Sequence, residues 1–175
     1  MHRATDDTLP DAPGAGLPQG AFIGRETFRE LVRTALAEAA RCRWRELILA
    51  DADFHDWPLG ERAVIESLTS WVLSGGQRLT LLARRYDTVV RTQPRFVAWR
   101  RQWSHKIDAR GLPGVDAQDV PCILWTPAWV LERQDVLRSR GFSGSEPERR
   151  RQLRETLEDW LTRSSTAFPA DTLGL

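Results

Sequence analysis

Glu46-Leu-Ile-Leu-Ala-Asp51 is a short, unbroken apolar run that ends in a carboxylate, and Arg78-Leu-Thr-Leu-Leu-Ala83 repeats the pattern. Apolar runs of this length without polar alternation are expected of strands buried on both faces. Between them Val64, Ile65, Leu68, Trp71 and Val72 recur at three and four residues, one face of a helix that Gly75-Gly76 would stop. Two strands joined by such a helix form a right-handed crossover with parallel pairing. The chain therefore reads as α/β.

Upstream, Phe28, Leu31, Val32, Ala35, Leu36, Ala39 and Ala40 form the buried stripe of a helix ending near Arg43. Downstream the pattern predicts a short helix over 86–92 and a second whose first turn holds Pro94. A polar strand over 105–110 near an edge follows. Val120-Pro-Cys-Ile-Leu-Trp125 is a further strand, paired with 129–132 as a hairpin. Ser145-Glu-Pro-Glu148 has capping-box spacing and opens a last helix buried through Leu153, Leu157, Trp160 and Leu161. The expected fold is a single α/β domain over 21–175, with a mixed, mostly parallel sheet flanked by helices. Residues 1–20 carry Pro10, Pro13, Pro18 and three glycines with few large apolar side chains, which predicts a disordered tail. The apolar ending Phe168 to Leu175 is expected to dock on the domain or on a second copy.

The composition narrows the function classes. The 175 residues are 41% hydrophobic and 28% charged with a net charge of +1, so no excess charge advertises a nucleic-acid or anionic-membrane partner; nucleic acid is not expected. Lys106 is the sole lysine. Cys42 and Cys122 are too few for a disulfide framework, which fits a reduced, cytoplasmic setting. No apolar run approaches the roughly 18 residues of a membrane span. No spacing of His or Cys calls for a metal, and no cofactor is expected.

Asp51-Ala-Asp53 stands at the carboxyl end of a buried strand, where open α/β sheets bind ligands. With His55 in the same loop, and Arg84, Arg85 and Tyr86 ending the adjacent strand, it outlines a crevice for a small anionic ligand. Two readings stay open for the carboxylates. They could hold Mg²⁺ and transfer a phosphoryl group, or they could cap the turn that follows. The arginines likewise either bind an anion or pair with Asp51, Asp53 or Asp56. Other motifs are bland: Gly141-Phe-Ser-Gly144 is one residue short of a nucleophile elbow and reads as a turn. Gly75-Gly76 ends a helix where a phosphate loop would open one. The Arg149-Arg151 run, interleaved with glutamates, is an ion-paired helix face. Of eight tryptophans, Trp71 and Trp160 sit in core stripes, whereas Trp57, Trp99, Trp103 and Trp129 are candidates for an interface.

The Asp-x-Asp ending of the first strand resembles the opening motif of the haloacid-dehalogenase phosphatases, although that family's later motifs are poorly met. The order of elements from Arg25 onward, through the strands at 46–51 and 78–83 and the helix at 94–103 into Lys106-Ile-Asp-Ala-Arg110, resembles one half of the phospholipase D superfamily. That resemblance implies a phosphodiesterase-like scaffold and a homodimer of the kind found in bacteria. Its His-x-Lys-x4-Asp signature is absent, because position 104 is Ser104 and His105 adjoins Lys106. The resemblance thus implies a non-catalytic relative with a binding or regulatory role, with a Mg²⁺-dependent phosphatase or phosphotransferase using Asp51 and Asp53 as the alternative.

Overall fold

A computed structural model describes residues 12–169. In chain order the elements are β1 (Gly20–Ile23), α1 (Arg25–Cys42), β2 (Glu46–Asp51), α2 (Arg62–Leu73), β3 (Arg78–Ala83), α3 (Asp87–Thr92), α4 (Pro94–Gln102), β4 (Ile107–Gly111), β5 (Ile123–Trp125), β6 (Val130–Asp135), β7 (Arg140–Gly144), α5 (Pro147–Arg163) and β8 (Ser165–Thr166). All strands join one sheet in the order β1-β7-β6-β5-β2-β3-β4-β8. The predicted crossover is present: β2 pairs in parallel with β3, Leu47 opposite Leu79 and Asp51 opposite Ala83, and β3 pairs in parallel with β4.

The remaining pairings are antiparallel, which corrects the expected mostly parallel sheet. Strand β5 returns against β2 and opens a meander, β5-β6-β7, that β1 completes at the far edge. Two of these strands carry weak sequence signals. Gly141-Phe-Ser-Gly144 belongs to β7 and is not a turn, and Gly20–Ile23 opens the domain beside it. Gly141 is required there by contact: a Cβ would lie 2.0 Å from the carbonyl oxygen of Glu132 and 2.8 Å from Cα of Arg133.

The sheet is covered unequally. Leu47, Leu49, Leu79, Leu81, Leu124 and Leu131 pack with α1, α2 and the Phe96 and Trp99 side of α4. On the other face Ile48, Ala50, Leu82, Ile123 and Val130 meet Leu153 and Leu157 of α5 and the loop residues Leu112 and Val120, with Trp160 and Leu161 partly buried against them. The alternation of β2 into these two clusters is why its whole run is apolar. Helix α5 starts one residue later than a capping box requires. Ser145 instead turns its hydroxyl to Gln19 Oε1 at 3.3 Å, while Glu148 pairs with Arg151 at 2.7 Å.

Residues 12–19, inside the stretch read as a tail, form turns against the meander. Leu17 is buried, and the Pro18 carbonyl accepts from Trp129 Nε1 and Ser143 Oγ, both at 2.9 Å. Residues 1–11, and the part of the apolar ending after Pro169, lie outside the described residues.

Candidate functional site

The parallel pairing sets the carboxyl ends of β2, β3 and β4 side by side, Asp51 beside Ala83 and Ala83 beside Gly111. The backbone amides of Arg84 and Arg85 donate to the Ala52 carbonyl at 3.0 and 3.4 Å, which draws the two post-strand loops together. Ala52, Asp53, Arg84, Arg85, Asp87 and Arg91 are the main walls of the cavity that results, of about 270 Å³. A second cavity shares Arg84, Arg85 and Asp87 and is closed on its far side by residues 165–169.

Of the six residues expected in the crevice, three meet in the first cavity: Asp53, Arg84 and Arg85. Arg85 and Arg91 are exposed and Arg84 is half-buried, its Nε out of solvent with no acceptor. Among the described residues none of the three arginines has a carboxylate within ion-pair distance. Asp53 and Asp87 share the cavity wall without reaching ion-pair distance, whereas Asp51 and Asp56 are engaged elsewhere. Asp51 is 4% exposed and faces Arg133 Nη2 at 3.5 Å, and Asp56 pairs with Arg133 Nη1 at 2.8 Å and Arg25 Nε at 2.9 Å. The expected pairing of Arg84 or Arg85 with Asp51 or Asp56 is therefore replaced by Arg133, whose guanidinium also lies 4.2 Å over the Phe28 ring.

Asp51 has a local task as well. Its Oδ2 accepts from the amides of Phe54 at 2.8 Å and Asp53 at 3.3 Å, holding a tight loop in which Phe54 takes a left-handed φ of 58°. That conformation is uncommon for a bulky residue and persists where surroundings fix it. Here Phe54 is buried edge-on against Trp57, and its carbonyl accepts from Gln93 Nε2 at 3.0 Å. Asp53 in turn accepts from the His55 amide at 2.9 Å. His55 is turned the other way, onto a shallow cavity lined also by Arg29, Trp57, Glu61 and Arg95. Beside it Glu61 holds Arg29 and Arg33, whose hydrogen bonds bring its carboxyl down to about 2.

Tyr86 is a core residue. Its hydroxyl donates to the Arg110 carbonyl at 2.7 Å, its ring stacks on Phe168 at 4.8 Å, and burial pushes the hydroxyl far above its ordinary range. Trp57, Trp99 and Trp129, expected at an interface, are buried inside the chain, and Trp103 packs partly buried against the same core. No group of three or more His, Cys, Asp or Glu side chains suited to a metal occurs among the described residues. No helix among them is long and apolar enough to cross a membrane.

Sequence reasoning missed Arg91, Gln93 and Arg133. Arg91 was within reach, since it lies on the short helix that Arg84 and Arg85 lead into. Arg133 was not, because in Val130-Leu-Glu-Arg-Gln it looks like an outward polar residue of an alternating strand.

No protein-family model and no curated protein matches this chain. A solved structure does: that of TrmBL2, described as an archaeal chromatin protein with a novel mode of DNA binding, is similar at a TM-score of 0.62 and 13% sequence identity. The likeness covers 87% of this chain and 55% of that one, so the chain spans little more than half the neighbour's length. At this identity the likeness is one of fold.

Two expectations are corrected by it. The phospholipase D resemblance is not upheld, because the fold matches a DNA-binding chromatin protein. The residues that carried the resemblance form a β-α-β unit, which very different α/β proteins share. With it goes the ground for expecting a homodimer. The exclusion of nucleic acid from net charge also falls, since this type of fold occurs in a DNA-binding protein. Net charge is a poor guide because phosphate contacts are local and act within a Debye length of about 8–10 Å.

Proposed function

We propose that this chain is a non-enzymatic binding domain that takes a phosphate group in the crevice of Arg84, Arg85 and Arg91. The observation that carries the reading is the convergence of three arginines on one cavity, none of them ion-paired among the described residues although Asp53 and Asp87 share its wall. Guanidinium groups so arranged match phosphate oxygens bidentately. Binding is favoured over phosphoryl transfer because Asp51, the carboxylate that would attack, is buried with both oxygens engaged.

A second reading makes that phosphate part of a nucleic-acid backbone. It is favoured by the named DNA-binding activity of TrmBL2 and by the exposure of Arg85 and Arg91 in the crevice, with a further exposed arginine, Arg95, across the α3–α4 turn.

One experiment addresses both. Purified protein is titrated with inorganic phosphate, nucleotides and sugar phosphates by thermal shift, and with a labelled DNA duplex by anisotropy over a range of salt. A ligand of the native state raises the melting midpoint. Arg84→Ala/Arg85→Ala is expected to abolish the shift, and retained binding overturns the assignment. If DNA is the ligand, engagement of three phosphates gives a log–log salt slope of about −3, reduced in the variant. Binding of small phosphates without DNA retention excludes the second reading.

A further inference from the structure

Arg100, on α4, is 6% exposed. Its Nη2 donates to the Phe168 carbonyl at 3.0 Å and its Cζ lies 5.6 Å from the centre of the Phe168 ring. Nε and Nη1 are out of solvent with no acceptor, and no carboxylate reaches ion-pair distance among the described residues. The other deeply buried charges among the described residues are paired, Arg133 with Asp51 and Asp56. Asp108 acts on Arg100 only from beyond ion-pair distance, so this buried guanidinium keeps spare donors that an oxyanion could satisfy.

The group that covers Arg100 is thin. Residues 164–169 pass over the edge of the sheet as a strap, held to Arg110 by bonds to the Ser164 carbonyl at 2.9 Å, Ser164 Oγ at 3.0 Å and Thr166 Oγ1 at 3.3 Å. Beyond the two-residue β8, the Ala167 amide donates to the Ala109 carbonyl at 3.0 Å, and Phe168 then takes a left-handed φ of 49° to lay its ring on Tyr86. Ser165, Thr166 and Pro169 are exposed. The strap thus presents one neutral carbonyl to a full positive charge, and burial lowers the pKa of Arg100 accordingly.

We propose that Arg100 is a second oxyanion site, which the strap fills with the Phe168 carbonyl, so that a small phosphate or carboxylate at Arg100 and the closed strap exclude one another. The site is independent of the Arg84–Arg85 crevice, although Tyr86 and residues 165–169 join the two. It stands whether or not the crevice binds phosphate.

The structure offers a wedge to open the strap. A Cβ at Gly111, whose backbone is not left-handed, would meet Ala167 Cβ at 2.8 Å, so Gly111→Ala pushes the strap outward without touching Arg100. Phe168→Ala loosens it by a different route, removing the Tyr86 stack, and serves if the first variant fails to fold. All proteins carry Arg84→Ala/Arg85→Ala, so that the crevice contributes nothing. Inorganic phosphate and, separately, acetate are titrated while hydrogen exchange is followed at the amides of 164–168 and the Arg100 Nε resonance is monitored.

Either anion is expected to speed exchange in the strap and move the Arg100 resonance together. If the strap is open about one-tenth of the time, either opening variant tightens apparent binding about tenfold. Arg100→Gln is expected to remove the response in every background. The proposal is overturned if neither anion moves the Arg100 signal in the opening variants, or if the response survives Arg100→Gln. A response to phosphate and not acetate identifies phosphate as the ligand class; the reverse identifies a carboxylate.

Discussion

Replacing Arg133 by Met is the most exacting test of how the crevice is held. Arg133 is 3% exposed and lies between Asp51, 4% exposed, and Asp56, while its flat face covers Phe28. Methionine keeps much of the stem's volume and its packing on Phe28, so the change is mainly one of charge. Asp56 retains Arg25 at 2.9 Å, but Asp51 is left with two backbone amides and no cation. Removing one partner of a buried pair typically costs about 3–5 kcal/mol, a large share of the 5–15 kcal/mol of a whole domain. For a chain of this length that lowers Tm by roughly 6–20 °C. Urea unfolding of Arg133→Met, Asp51→Asn and the double variant measures it. The double variant is expected to recover at least half of the loss, because a neutral Asn can still accept from the Phe54 amide while needing no cation. A loss under about 1 kcal/mol for Arg133→Met, the range of an exposed pair, would refute the reasoning. So would strict additivity of the two substitutions, since contacting charges must couple.

Further predictions follow from other contacts. Gly141→Ala drives a methyl group into the β6 backbone and is expected to cost about 3 kcal/mol or more, against under about 0.5 kcal/mol for Gly16→Ala, where nothing lies within 4 Å; chemical denaturation compares them. Glu61 and Glu38, each brought down to about 2 by arginine hydrogen bonds, have folded pKa values below the ordinary 4.5. Their stabilisation is therefore full above about pH 4.5 and is lost as pH falls toward 2. Glu61→Gln, which removes a partly exposed pair, should flatten that acid limb by about 1 kcal/mol in pH-dependent unfolding. Tyr86→Phe deletes the bond to the Arg110 carbonyl and is expected to cost about 1 kcal/mol while leaving phosphate affinity unchanged, because the hydroxyl faces the core and not the crevice.

The half of the molecule that carries the crevice was largely legible in the sequence, and the other half was not. Strands β2 and β3 are buried on both faces, so their runs are unbroken and announce themselves. The stripes of α1, α2 and α5 were equally plain. Strands β1 and β7 lie at the far edge of the sheet, where only the first turn of α5 reaches, through Arg149 over Phe142: Phe22 is buried while Ala21 and Ile23 are exposed, and Gly141 is chosen for close approach. Such strands are short, mixed in polarity and rich in glycine, which reads as turn. With them unread, the mixed sheet is expected to be mostly parallel, whereas most of its pairings are antiparallel.

The candidate site divides along the same physical line. Arg84, Arg85 and Asp53 follow directly from strand ends and could be named without a structure. Asp51 and Tyr86 have the same local credentials but point inward, and only the arrival of Arg133 from β6 and Phe168 from the strap reveals it. Four tryptophans beside loops or charged residues suggested an interface. Three are buried: Trp57 and Trp129 belong to loops that fold into the core, and Trp99 faces inward from α4 beside Phe96.

The shortage of lysine has a practical side. Lys106 stands just before β4, its Nζ 3.5 Å from the Val72 carbonyl, at the end of the sheet opposite the crevice. Five residues of strand, about 16 Å, separate it from Gly111. An amine-reactive dye therefore has one side-chain address, set well back from the crevice. A fluorophore placed there can report entry of a labelled ligand into the crevice by energy transfer, with no residue of the crevice altered to accept it.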